Sequence, residues 1–146
     1  MKISTALLAA SLLSVTSFSY ARDDALHLPI EAAMNSQNFK DKLDGSVKFY
    51  WGKQKSPKVV EEFAVDISNR KTNSVGKTPE EACQWALLAA LQAFQDKAKT
   101  LGANAVINVV SYYKKNEFSS TNEYECHDGS IMSGVAIRGK LVKVAS

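Results

Sequence analysis

One stretch of the chain carries both the start and the stop signals of an α-helix. Thr78 is followed at once by Pro79, and Glu81 stands three residues after the threonine, which is the capping pattern of a helix N-terminus. Gly102 supplies the residue type that most often ends a helix. Between these limits apolar side chains recur at steps of three and four, namely Cys83, Leu87, Ala90, Phe94, Ala98 and Leu101. The sequence therefore predicts a helix over residues 79–101 whose apolar face packs on another layer.

The same periodicity assigns an environment to individual side chains. Leu87, Phe94 and Leu101 lie on the apolar stripe and are predicted to be buried. Gln92 and Lys99 lie off the stripe and are predicted to be exposed.

The segments around this helix favour β-strands. Residues 46–51 and 58–67 are predicted to form a hairpin with a long polar loop. Further strands are predicted over 105–113 and, as one last strand or a bent pair, over 124–127 and 132–144. Residues 22–28 are predicted to be a loose start, followed by a short helix that Pro29 opens. The prediction is one α+β domain over residues 22–146, with about four mostly antiparallel strands, the long helix on one face and a short N-terminal helix.

The first 21 residues have the composition of a secretory signal peptide. Lys2 precedes an apolar run over residues 3–15, and small residues lead to Ala21. The run is too short to span a hydrocarbon core, which takes about 20 residues. No cysteine lies near the end of the run, so no lipid anchor is expected, and no later stretch predicts a membrane span. We therefore expect cleavage after Ala21 and a periplasmic location.

Cys83 and Cys126 are the two cysteines of the chain. In an oxidising compartment two cysteines usually pair, and this pair would join the first turn of the predicted helix to a late strand. The alternative is a redox-active thiol at Cys83, because the N-terminus of a helix stabilises a thiolate. The chain has no Cys-x-x-Cys motif, which favours a structural disulfide.

No segment predicts a catalytic residue or a cofactor site. Gly76-Lys77-Thr78 stands between a predicted strand and a predicted helix, as in phosphate-binding loops. However, Lys71 occupies the position of the first glycine of that motif, so we expect neither nucleotide binding nor ATPase activity. A net charge of +3 is too low to predict nucleic acid as the partner.

Two weaker features bear on function. Residues 125–128 place Glu, Cys, His and Asp in a row, but neighbouring side chains of a strand point to opposite faces, so at most two of them could share one ion. This leaves His127 as a weak candidate for a metal-binding or hydrolytic centre. A possible contact surface for a polyanion consists of Lys48, Trp51, Lys53 and Lys55. The alternative is a hairpin that buries its aromatic side and leaves the lysines in water.

The pattern from Cys83 to Val142 resembles a known family. Its parts are Cys83-Gln84 near a helix start, Lys97-Ala98 near the helix end, Gly102-Ala103-Asn104-Ala105-Val106 before a strand, Cys126, and Gly134-Val135-Ala136-Ile137. They are similar to the periplasmic domain of the outer-membrane lipoprotein sensor of the Rcs envelope-stress phosphorelay and to its small secreted relatives. The resemblance implies a disulfide between Cys83 and Cys126. The chain departs from the sensor in having no lipidation cysteine and no second disulfide, whose positions Tyr112 and Ala136 occupy.

These observations predict a soluble periplasmic binding or accessory module that acts through contacts with an envelope protein and has no chemistry of its own. The alternative function is a small metal-binding or hydrolytic periplasmic protein centred on His127.

Overall fold

The computed structural model describes Ser14 and residues 22–146. The predicted signal peptide, apart from Ser14, lies outside the described residues. The described part contains three helices, α1 (Ile30–Met34), α2 (Gln37–Lys42) and α3 (Pro79–Leu101). It also contains seven strands, β1 (Asp24–Pro29), β2 (Lys48–Trp51), β3 (Val59–Asn73), β4 (Ala105–Tyr113), β5 (Asn116–Phe118), β6 (Glu123–Asp128) and β7 (Met132–Val144). No helix within residues 22–146 is both long and apolar enough to cross a membrane.

The predicted fold of about four strands with one long and one short helix is wrong. Strands make up 44% of the described residues and helices 27%, and the seven strands form one sheet curled into a half-barrel. The strands that were not predicted, β1 and β5, have six and three residues and pair with segments elsewhere in the chain. The single short helix predicted after residue 28 is two helices of five and six residues.

The last strand organises the sheet. β7 pairs antiparallel with β3 along one side, from Val144 opposite Val59 to Met132 opposite Asn73. On its other side it pairs with β6 at its beginning and with β4 further along. β6 continues the sheet to β1, and β4 continues it to β2 and β5. The ladders are antiparallel except that between β2 and β4, which is parallel.

The predicted hairpin between residues 46–51 and 58–67 does not form. β2 pairs with β4, with Lys48 opposite Ala105, and β3 pairs with β7. A parallel neighbour cannot follow a short turn, so the partner of β2 comes only after β3 and α3. Strand propensity identified the two segments but carried no information on which strands they join.

α3 begins and ends at the predicted residues. The Glu81 backbone N–H donates to Thr78 Oγ1 at 3.2 Å, and Gly102 ends the helix with a φ of 82°. The helix lies on the inner face of the sheet, where Leu87 and Phe94 are buried as predicted. Lys99 is exposed as predicted, while Gln92 is half-buried. Leu101 is 38% exposed, so that prediction is wrong, because the buried stripe ends one turn earlier at Ala98.

Candidate functional site

The predicted disulfide is present and lies in the core. Cys83 and Cys126 are joined with their Cα atoms 5.8 Å apart, and both are fully buried. The bond ties the N-terminal part of α3 to β6 and occupies both cysteines of the chain. A bridge without solvent contact has no access to a redox partner, so its role is structural rather than that of a reactive thiol.

The row of four polar residues at 125–128 divides between the two faces of β6. Cys126 and Asp128 point into the protein, where the Asp128 carboxylate accepts hydrogen bonds from Arg22 at 2.5 Å and from Ser133 Oγ at 2.6 Å. Glu125 and His127 point to the other face and are half-buried. The alternation therefore prevents all four side chains from meeting at one ion.

Both histidines of the chain meet at Glu125, which sequence reasoning missed. β1 pairs with β6 so that His27 lies directly opposite Glu125. The Nε2 atoms of His27 and His127 lie 3.1 and 3.2 Å from the two carboxylate oxygens of Glu125. His127 Nδ1 lies 3.0 Å from Asp23 Oδ1. We name these four residues, Asp23, His27, Glu125 and His127, the histidine cluster.

Aromatic rings hold the two imidazoles in place. His127 stacks on Tyr113 with ring centroids 3.4 Å apart, and His27 stacks on Phe118 at 4.0 Å. Tyr113 belongs to β4 and Phe118 to β5, so the β4–β5 pair supports the cluster from the side. The only sequence signal for β1, the strand that carries His27, was the weak alternation of residues 24–29, which is too short to predict a strand.

The bonding pattern of the histidine cluster limits its chemistry. Ionised carboxylates only accept hydrogen bonds, so the ring nitrogens that face them have to donate. His127 faces a carboxylate at each ring nitrogen, so both nitrogens are already engaged within the cluster. A metal ligand needs a free nitrogen lone pair, and among residues 22–146 no group of three or more His, Cys, Asp or Glu is arranged to hold a metal ion. The cluster as it stands is a network that fastens β1 to β6.

The predicted contact surface is only partly at the surface. Lys48, Lys53 and Lys55 are exposed, but Trp51 is 4% exposed and packs in the core. The prediction that Trp51 contributes to a contact surface is therefore wrong. Trp51 is buried because β2 pairs with β4, where Trp51 lies opposite Val109 and packs within the hydrophobic core.

An open groove lies beside the exposed lysines. It has a volume of about 420 Å³ between α2 and β2, and its apolar side chains include Phe39, Leu43 and Phe49. Lys40 and Lys48 stand at its rim and are exposed. We name this feature the lysine groove.

The charge around the lysine groove is strongly one-sided. Residues 37–58 contain six lysines and two aspartates. None of the six lysines forms an ion pair with a carboxylate of residues 22–146. Asp44 is already engaged by Lys99 and Ser46, and the bond from Lys99, followed by those from Ser46, holds the pKa of Asp44 well below its usual range. The two lysines at the rim of the groove, Lys40 and Lys48, are thus cations that no carboxylate of residues 22–146 neutralises.

Comparison of the chain with protein-family models, with curated proteins and with solved structures gave no match in any of the three.

Proposed function

We propose that the chain is an exported binding module without enzymatic activity, and that it holds an acidic segment of another envelope protein in the lysine groove. The observation that carries this proposal is the set of exposed, unneutralised lysines around half-buried aromatic and aliphatic side chains. Such a surface offers charge attraction for encounter and an apolar floor for close contact.

Two further features support a periplasmic module of this kind. A structural disulfide is typical of proteins that fold in an oxidising compartment. The buried disulfide therefore agrees with the signal peptide predicted over residues 1–21. The resemblance to the Rcs lipoprotein sensor points to a domain that works through protein contacts.

The proposal is tested with a defined probe. A fluorescently labelled peptide of glutamate residues interspersed with leucine is titrated with the purified protein at low salt, and anisotropy reports binding. Lys48→Glu is expected to weaken binding several-fold, because it removes one attraction at the exposed rim of the groove and adds one repulsion. Lys115→Glu, which reverses an exposed lysine in the turn after β4, is the matched control and is expected to bind like the natural protein.

Two results would contradict the proposal. Equal loss in the Lys115→Glu control would mean that the peptide senses only net charge. Equal or tighter binding of single-stranded DNA of the same length would mean that the groove selects polyanions in general rather than an acidic protein segment.

The histidine cluster supports a second candidate function, metal binding centred on His127. It is favoured by the row of contacts in which Glu125 bridges the two imidazoles and Asp23 lies at the other nitrogen of His127. Binding would require the cluster to open, so that each coordinating imidazole nitrogen turns a lone pair to the metal instead of facing a carboxylate. Stoichiometric zinc or copper in the purified protein, lost in His127→Ala but kept in Lys48→Glu, would favour this candidate. Metal below one tenth of an equivalent in both would exclude it.

A further inference from the structure

The longest strand of the protein has an open edge. β3 pairs with β7 on one side, and no strand of residues 22–146 pairs with its other side. Two irregularities, between Val59 and Glu61 and between Glu62 and Ala64, interrupt the first part of the strand. From Ala64 to Asn73 the register against β7 is unbroken. Bulges protect an edge from pairing, whereas a long regular edge is a template for a further strand.

The regular part of β3 has two distinct faces. Asp66 bonds to Lys97 of α3 at 2.8 Å and Ser68 is buried, so the even-numbered residues face the helix. Val65 and Ile67 are 61% and 50% exposed on the opposite face. In an antiparallel pair, residues directly opposite each other share a face. Two copies of β3 can therefore pair about a twofold axis only if each even-numbered residue meets an even-numbered one.

We propose that two copies of the chain dimerise through the open edges of β3, antiparallel, about a twofold axis at Ser68. This register uses residues 64–72 of each copy, which is nearly the whole of the regular segment. It places Ser68 opposite Ser68, and Asp66 opposite Arg70 of the second copy. The dimer is independent of the lysine groove, which lies on α2 and β2.

Charge complementarity selects this register among those that the faces allow. With the axis at Ile67, Asp66 would meet Ser68 and Arg70 would meet Ala64. With the axis at Asn69, Asp66 would meet Thr72 and Arg70 would meet Ser68. Only the axis at Ser68 brings the acidic and the basic residue together, and it does so twice.

Both charges are available for these contacts. Arg70 is exposed and has no ion-pair partner among residues 22–146, and Asp66 has one partner, Lys97. A carboxylate has two oxygens and can accept from both cations at once. At each end of the interface, Asp66 of one copy would lie between Lys97 of the same copy and Arg70 of the second copy.

The hydroxyl of Ser68 also fits the proposed axis. Its Oγ is buried and finds no hydrogen-bond partner within the described part of the chain. Residues directly opposite on an antiparallel pair have Cβ atoms about 4.5–5.5 Å apart, and serine pairs in this position form hydrogen bonds. Rotation about the one side-chain torsion of serine turns each hydroxyl towards the other copy.

The test uses sedimentation velocity on the full protein purified from the periplasm, over a concentration series. The natural protein is expected to dimerise. Arg70→Asp gives a strand with two acids and Asp66→Arg a strand with two bases, so each variant alone is expected to dimerise at least about tenfold more weakly. An equimolar mixture of the two variants is expected to recover the dimer, because the acidic strand then meets the basic one.

The mixture separates the proposal from misfolding and from other assemblies. A variant that failed to fold would not be rescued by the other variant, and circular dichroism checks each before mixing. Lys53→Glu is the control and is expected to dimerise like the natural protein. A natural protein that stays monomeric at all concentrations, or single variants that dimerise as well as it does, would overturn the proposal. A monomeric natural protein would leave the β3 edge open to a peptide of another protein. Unimpaired dimers of the single variants would mean that the dimer uses another surface.

Discussion

Replacing Tyr124 with phenylalanine is expected to stabilise the protein. The side chain of Tyr124 is 1% exposed on the inner face of β6, and its Oη has no hydrogen-bond partner among residues 22–146. A buried polar group without a partner costs about 1–3 kcal/mol. Tyr124→Phe removes only this oxygen and leaves the ring packed in the core, so it creates a minimal cavity. The free energy of unfolding at pH 7 should rise by about 1 kcal/mol or more.

The pH dependence gives the same substitution a second signature. Burial, and secondly the charge of Glu80, raise the pKa of Tyr124 above its usual value. A group whose pKa is raised by folding contributes stability that is present below its unfolded pKa, about 10 for tyrosine, and is lost as the pH rises towards the folded pKa. The natural protein should therefore lose up to about 1.4 kcal/mol per pH unit above pH 10 from this residue. The Tyr124→Phe variant should not show this loss of stability above pH 10.

Urea unfolding of both proteins at pH 7, 9 and 11 checks both signatures. The difference in unfolding free energy between variant and natural protein should be positive at pH 7, unchanged at pH 9 and larger by about 1 kcal/mol at pH 11. At neutral pH the gain corresponds to a rise of about 3–5 °C in Tm for a domain of this size. A Tyr124→Phe variant that is less stable than the natural protein would show that the hydroxyl has a favourable partner and would refute the reasoning.

The same structure makes three further predictions about stability. Phe94→Ala should cost about 3–5 kcal/mol in urea unfolding, because the ring is 1% exposed, while Leu101→Ala should cost less than about 1 kcal/mol. Reduction of the disulfide should require partial unfolding, since both cysteines are fully buried. Once reduced, the protein should be about 2–5 kcal/mol less stable. Thiol labelling with and without urea measures whether the bond becomes accessible only on unfolding. Because the bond to Lys99 lowers the pKa of Asp44, its contribution is present above about pH 4 and lost on acidification, so Asp44→Asn should flatten the acid limb of a stability–pH curve.

The boundaries of α3 could be predicted because every signal for them is local. Thr78 and Gly102 act on backbone groups within one turn of themselves, so their effect is independent of the rest of the fold. The exposure of Leu101 could not be predicted in the same way. Periodicity states which side of a helix is apolar, but the extent of the layer beneath it depends on strands far along the chain.

The strand partners and the histidine cluster could not be predicted from the sequence for the same reason. His27 meets Glu125 because β1 pairs with β6, nearly one hundred residues later in the chain. The sequence of β1 contains three apolar residues, Ala25, Leu26 and Leu28, in an incomplete alternation that also occurs in loops. Trp51 was placed at a surface because the lysines near it in sequence suggested a basic and aromatic patch, whereas the pairing of β2 with β4 buries its side chain. Pairing over such distances depends on the complete sheet, and no local residue pattern encodes it.

The two faces of β6 make function and stability separable in experiments on this strand. Cys126 and Tyr124 lie on the inner face and contribute to the core, whereas Glu125 and His127 lie on the outer face with side chains 16% exposed. A substitution at His127 leaves the disulfide and the packed ring of Tyr124 on the inner face untouched. His127→Ala should therefore leave the fold intact while removing two of the three contacts in the histidine cluster. Any loss of metal or partner binding in that variant can be attributed to the cluster itself, because the disulfide and the buried face of the same strand are unchanged.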